Sequence, residues 1–241
     1  MRSLAALSAI AAIQCSATAA LAGDAAELNI LGFSADGGVF AFEEYGIQDG
    51  SGFPYANRFY IDTASDSFLP GTPIRVRLDD ESASLDEARN QARTQGEAII
   101  EEAVLAANRG VTAGFNPITE LSVEPHRMAV NPRPVFPPID QPLELRLEEI
   151  ALEQPANCHD LGTAVGYRLT RLGVSPGETA QLLHEDTSIP ASRNCPLGYS
   201  FGAVQTFFPD GGEPVYAAVI AVRSVGFEGP NHRWIAVPGK L

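Results

Sequence analysis

Two Asp-Gly-Gly tripeptides, Asp36-Gly37-Gly38 and Asp210-Gly211-Gly212, constrain this chain most, because each asks for a tight hairpin. Such a turn needs positive φ, which glycine supplies at no steric cost. The surroundings of the two turns echo each other. Phe33-Ser34-Ala35 leads into the first, Phe207-Phe208-Pro209 into the second. Sixteen residues after each Asp stands a Gly-Phe pair, Gly52-Phe53 and Gly226-Phe227. Asn57-Arg58-Phe59-Tyr60-Ile61 then answers His232-Arg233-Trp234-Ile235-Ala236, and the apolar runs Val39–Phe42 and Val215–Val222 lie between the turns. The pattern predicts a strand–turn–strand–loop–strand unit used twice, at about 28–62 and 199–237. Two unrelated hairpins of similar length would give the same echo.

The rest of the chain reads mainly as strand, with one helical interruption. Phe40 and Phe42 alternate with Ala41 and Glu43, and Leu143-Glu144-Leu145-Arg146-Leu147 alternates in the same way, as half-buried strands do. Ser84-Leu85-Asp86-Glu87 is a capping box, and Ile99, Ile100, Ala103, Val104 and Ala107 follow at helical spacing. One long helix over about 85–109 is expected, with Gly96 marking a kink or a close contact and Gly110 a stop. Six prolines in the 18 positions from Pro125 to Pro142 predict an extended surface connection. Further strand-like runs are Gly166–Leu172, Ala180–His184, Tyr199–Phe208 and Arg233–Val237. The expected fold class is mainly β (α+β), with antiparallel sheets built from two blade-like repeats and one helix.

The first 22 residues read as an export leader rather than as part of the fold. Met1-Arg2 gives a positive start, Leu4 to Ile13 a short apolar run, and Ala20-Leu21-Ala22 a cleavage site before Gly23. That stretch is too short for a membrane span, and no later one approaches the roughly 20 apolar residues a span needs. Cleavage between Ala22 and Gly23 would leave 219 of the 241 residues, enough for a single β-rich domain, 23–241. Arg2 leaves with the leader, so 15 basic face 30 acidic residues, a balance of −15. An acidic surface repels phosphate backbones and anionic lipid heads, which argues against nucleic-acid and membrane-surface partners. Cys15 falls in the leader. Cys158 and Cys195 remain, an even pair expected to form a disulfide in the periplasm or outside the cell.

Motifs for chemistry are tested and mostly fail. Gly173-Val174-Ser175-Pro176-Gly177 has the letters of a nucleophile elbow, but Pro176 has no N–H to lend to an oxyanion hole, so a hairpin loop is expected. His184-Glu185 begins a zinc-protease motif, yet Ser188 stands where the second histidine belongs. His126, His159, His184 and His232 show no ligand spacing, and no cofactor motif is present. Asp62 with Asp66, and Asp79-Asp80-Glu81, offer clustered oxygens without the glycine of a calcium loop. What remains is a group of binding candidates, Glu43, Glu44, Tyr45, Asp49 and Arg58 in the first repeat and Glu228, His232, Arg233 and Trp234 in the second. Carboxylates beside arginine and aromatic rings suit a polar ligand such as a sugar or peptide. Arg58 and Arg233 are equally suited to pairing with local carboxylates to hold their own loops.

Two family resemblances arise from these segments. The Phe-Ser-Ala-Asp-Gly-Gly run with Phe40-Ala41-Phe42 and Phe59-Tyr60-Ile61-Asp62 resembles a blade of the propellers in periplasmic TolB-like proteins. A propeller needs at least four blades, more than the two copies seen. Gly32-Phe33-Ser34, Phe40 to Gly46, Asp49 to Tyr55, Pro70-Gly71-Thr72-Pro73, Ser192 to Pro196 and Gly226 to Pro230 resemble an uncharacterised bacterial family of predicted secreted proteins, domain of unknown function 2259. That resemblance implies export and brings no catalytic residues with it. Two functions are carried forward: a non-catalytic secreted module that binds a partner protein or cell-envelope component, and an envelope hydrolase using a carboxylate pair from Glu43, Glu44, Asp49 and Glu228.

Overall fold

Each Asp-Gly-Gly turn joins two long antiparallel strands. The computed structural model describes residues 23–241, so the expected leader and its final residue Ala22 lie outside the described residues. Strands β1 (Glu27–Phe33) and β2 (Val39–Ile47) meet across the first turn, and β3 (Pro54–Asp62) returns beside β2. Two short strands, β4 (Ser67–Phe68) and β5 (Ile74–Arg77), both pair with β3 and complete the first sheet. Helices α1 (Leu85–Gly96) and α2 (Glu102–Ala107) follow, then β6 (Val111–Phe115). A second sheet has the order β10-β9-β8-β7, from β7 (Arg127–Val130), β8 (Leu143–Ala151), β9 (Val165–Arg171) and β10 (Gln181–Glu185). The third has the order β13-β12-β11-β6, from β11 (Pro196–Phe207), β12 (Val215–Ser224) and β13 (Asn231–Lys240). The fold is mainly β, with antiparallel pairing throughout the three sheets.

The two glycine-turn segments therefore fold alike, as three-stranded meanders β1-β2-β3 and β11-β12-β13. Gly37 and Gly211, at φ +75° and +72°, occupy the left-handed conformation that the turn requires. The meanders also face one another. Phe33 stacks on Phe207 at 5.2 Å between ring centroids beside the two turns. At the opposite end the Asp49 carboxylate accepts the Glu228 N–H at 2.8 Å, so the two Gly-Phe loops share one rim.

Side-chain alternation stacks these sheets into layers. Phe40 and Phe42 point from β2 toward Ala217, Val219 and Ala221 of β12, while Ala41 between them faces the helices. Tyr216, Ala218, Ile220 and Val222 leave the other face of β12 to meet Leu143, Leu145 and Leu147 of β8. The third sheet is thus the filling between the first and second, and β12 is buried on both faces. That is why Val215–Val222 is apolar without alternation. The sheets lie in layers and do not radiate around an axis as propeller blades do.

Two expectations are refined. The helical run is broken: α1 ends at Gly96, residues 97–100 make a turn, and α2 restarts at Glu102. A Cβ on Gly96 would lie 2.2 Å from the Tyr60 hydroxyl, so the helix is pressed onto β3 there. The break lets Glu102 bond the Arg58 guanidinium at 2.6 Å and turns Ile99 and Ile100 onto the same apolar cluster as Ala88 and Ala92. At the start of α1, Ser84 Oγ accepts the Glu87 N–H at 3.1 Å, the serine half of the capping box. The proline-rich connection is shorter than expected, because Arg127–Val130 inside it pairs with β8. Its alternating burial, with Met128 and Val130 inward, overrides the prolines on either side. Gly173–Gly177 lies in the hairpin loop between β9 and β10.

Candidate functional site

A cleft of about 730 Å³ opens along β13, the edge strand of the middle layer. The first sheet supplies Phe42, Glu44, Asn57, Phe59, Phe68 and Arg75 to it. Tyr167 and His184 of the second sheet form the opposite side, with Ser192, Arg193 and Asn194 from the turn before β11. Cys158 and Cys195 are disulfide-bonded, with Cα atoms 5.5 Å apart, and this bond anchors the turn directly behind Asn194. Trp234, the only tryptophan in the chain, lies along the cleft and donates its indole N–H to the Ala26 carbonyl at 2.7 Å.

Glu44 is the polar centre of the floor. Period-two alternation on β2 sends it to the cleft and sends Glu43 and Tyr45 to the helix side. The Glu44 carboxyl accepts the backbone N–H of Trp234 at 2.8 Å and the Asn57 amide at 2.9 Å. Burial nevertheless dominates and pushes its pKa up, against those bonds and the charges of Arg233 and Arg75.

The far wall is a charged lattice on an aromatic base. His184 stacks on Tyr167 at 4.6 Å between centroids, and the Arg193 guanidinium lies 4.8 Å from the centre of that ring. Asp186 receives both, from His184 Nε2 at 3.0 Å and Arg193 Nη1 at 2.5 Å. His184 Nδ1 also comes within 3.8 Å of Asp66, on the turn between β3 and β4, so the imidazole ties the second sheet to the first across the cleft. The bonds to Asp186 and Asp66 outweigh burial and hold the His184 pKa at about 9. Burial opposes ionisation of Asp186, but the His184 and Arg193 bonds win and keep its carboxyl below the usual range.

Of the residues singled out in the sequence, Glu44, Arg233 and Trp234 line this cleft. Arg233 is held by Asp24 at 2.5 Å and lies over the Tyr55 ring. Asp49 and Glu228 meet at the shared loop rim through the 2.8 Å backbone bond. His232 exchanges backbone bonds with residues 24–26, and burial with Arg223 and Arg233 lowers its pKa. Glu43, Tyr45 and Arg58 are elsewhere, beneath α1. There Arg89 bonds Glu43 at 2.9 Å and covers the Tyr45 ring at 3.8 Å, and Arg58 Nε comes within 3.6 Å of Glu43. The four carboxyls proposed for a hydrolytic pair do not converge: of Glu43, Glu44, Asp49 and Glu228, only Glu44 lines the cleft. Asp62 and Asp80 are engaged in their own turns, accepting N–H and hydroxyl bonds from Ser65 and Ser82.

Sequence reading missed Phe68, Arg75, Tyr167 and Arg193. They come from segments far apart in the chain, and only the layering of three sheets brings them together. One signal was available: Ser192-Arg193-Asn194 abuts Cys195, and a disulfide fixes whatever lies next to it.

A family model described as "Predicted secreted protein (DUF2259)" matches residues 41–240. The chain belongs to that family. No curated protein and no solved structure matches it. The DUF2259 match spans every cleft residue from Phe42 to Val237, describes a predicted secreted protein and assigns no activity. Among the described residues no helix is long and apolar enough to cross a membrane.

Proposed function

We propose that the protein is a non-catalytic binding module of the periplasm or extracellular space, and that its ligand lodges in the cleft along β13. The observation that carries this reading is the composition of the cleft. A concave volume of about 730 Å³ has an aromatic lining and a few polar groups already fixed by the fold. Small-ligand sites have that size and that mixture. Phe68 stands 52% exposed at the mouth, a large apolar side chain left in water where a bound molecule would cover it. The groups that hold the site, Asp24, Asp186 and Asn57, are each spent on structure, so little reorganisation opposes binding. Of the four carboxyls considered for hydrolysis only Glu44 lines the cleft, which favours binding over a mechanism that needs two of them about 5–10 Å apart.

The test is a thermal-shift screen of the oxidised protein against envelope sugars, peptidoglycan fragments, short peptides and small organic acids. A native-state ligand at a hundredfold excess over its Kd stabilises by about 2.7 kcal/mol. The reading expects a hit whose stabilisation is lost in Phe68→Ala. Hits that are indifferent to Phe68→Ala and to substitution of Ser192 contradict the cleft as the site.

A further inference from the structure

Charge in the cleft is almost completely paired, with one exception. Arg233 is matched by Asp24, Arg193 by Asp186, and His184 by Asp186 and Asp66. Glu44 has both oxygens occupied by Asn57 and the Trp234 N–H. Arg75 alone among the cleft cations makes no ion pair with the described residues. It is exposed on β5 and lies over the Phe59 ring at 5.5 Å from its centroid. Phe59 in turn touches Phe68, with ring centroids 6.1 Å apart. A guanidinium on a two-ring aromatic shelf is thus presented at the mouth of a cavity, on a chain whose net charge is −14.

Resting on the binding reading above, we propose that the cleft takes a small amphipathic carboxylic acid: its carboxylate pairs with Arg75 and its apolar body lies on Phe68 and runs toward Trp234. The guanidinium fork matches a carboxylate in two parallel N–H···O bonds. Phe68, more than half exposed, supplies apolar area beside that contact, while buried Phe59 supports the guanidinium from below. Glu44, deeper in the floor, has both oxygens taken by the Asn57 amide and the Trp234 N–H, so the ligand's carboxylate is placed at Arg75 and not beside it. Organic cations are disfavoured at this position, because they would lie beside the Arg75 guanidinium, which makes no ion pair with the described residues.

Trp234 makes the test direct, since the only indole of the chain reports from within the cleft. The full-length gene product, purified in its oxidised form, is titrated with 4-phenylbutanoate, 4-phenylbutanamide and 4-phenylbutylamine while tryptophan emission is followed. The carboxylate is expected to give a saturable change, with the amide and amine roughly tenfold to a hundredfold weaker. Arg75→Ala, an exposed substitution, is expected to bring the carboxylate down to the affinity of the amide. Equal binding of carboxylate and amide, or a preference that survives Arg75→Ala, overturns the assignment to anions and leaves the binding module standing. Preference for the amine overturns it in the same way. Emission unchanged by all three probes overturns this ligand class, and a thermal-shift screen also silent for every class removes the cleft as a binding site.

Discussion

The His184 tie across the cleft makes stability depend on alkaline pH, and replacing it should abolish that dependence. In the folded protein His184 titrates near 9 because Asp186 and Asp66 bond its protonated ring; an unfolded histidine titrates near 6.5. Below pH 6.5 both states carry the proton and the interaction is at full strength. Between the two values the folded state holds a proton the unfolded state has lost, so each pH unit removes up to about 1.4 kcal/mol. Above pH 9 the contribution is gone. Across that window the loss amounts to about 3 kcal/mol for an imidazole that is only a quarter exposed (26%). Urea unfolding at pH 6.0, 7.5 and 9.5 reads it, with the wild type compared to His184→Gln. The wild type should lose about 3 kcal/mol relative to the variant between pH 6.0 and 9.5, nearly all of it above pH 6.5. His232, which burial and two arginines hold below the ordinary histidine value, titrates on the acid side and does not enter this comparison. Parallel wild-type and variant profiles over that range would refute the assignment of His184 as a protonated bridge.

Other perturbations follow from the packing. Gly96→Ala gains about 1 kcal/mol of helix propensity but drives a Cβ onto the buried Tyr60 hydroxyl, 2.2 Å away, so the net effect is a destabilisation of about 1–3 kcal/mol in urea unfolding. Arg58→Met removes the cation that approaches fully buried Glu43 and bonds Glu102, and should cost about 3–5 kcal/mol; Arg77→Met on the exposed pair with Asp79 should cost under about 1 kcal/mol. Reducing Cys158–Cys195, which closes a 37-residue separation, should cost about 3–4 kcal/mol and weaken whatever binds beside Asn194. A calorimetric scan with and without reductant reads the first effect.

How far the sequence reaches can be seen from particular elements. Asp36-Gly37-Gly38 and Asp210-Gly211-Gly212 carry their own geometry, because few other residues tolerate the left-handed turn, and both hairpins stand where they are expected. The disulfide was equally legible, since only two cysteines lie beyond the expected leader. The helix over 85–109 was read too long because spacing records which side chains are apolar and not what presses on the backbone. Tyr60 and Arg58, some 36 and 38 residues earlier than Gly96, fix the break. Strand β7 was hidden by flanking prolines, which constrain the chain on either side of it without preventing four residues from pairing. At the site, Glu44, Arg233 and Trp234 were legible through the echo of the two meanders. Glu43 and Arg58 belong to the same echo but alternate to the opposite face of the first sheet, a parity that a list of neighbouring letters conceals. Phe68, Arg75, Tyr167 and Arg193 had no common motif, because the layering of three sheets assembles them.

The central claim is that the cleft along β13 is where this protein meets its ligand, and amide NMR tests it most directly. The ¹H–¹⁵N spectrum of the oxidised protein would be followed during titration with the strongest hit from the thermal-shift screen. The account predicts shifts concentrated on Asn57 to Phe59, Phe68, Arg75, Ser192 to Asn194 and the Trp234 indole. Shifts confined to another exposed apolar surface, such as Leu121 and Phe136, with the Trp234 indole unmoved, would contradict it.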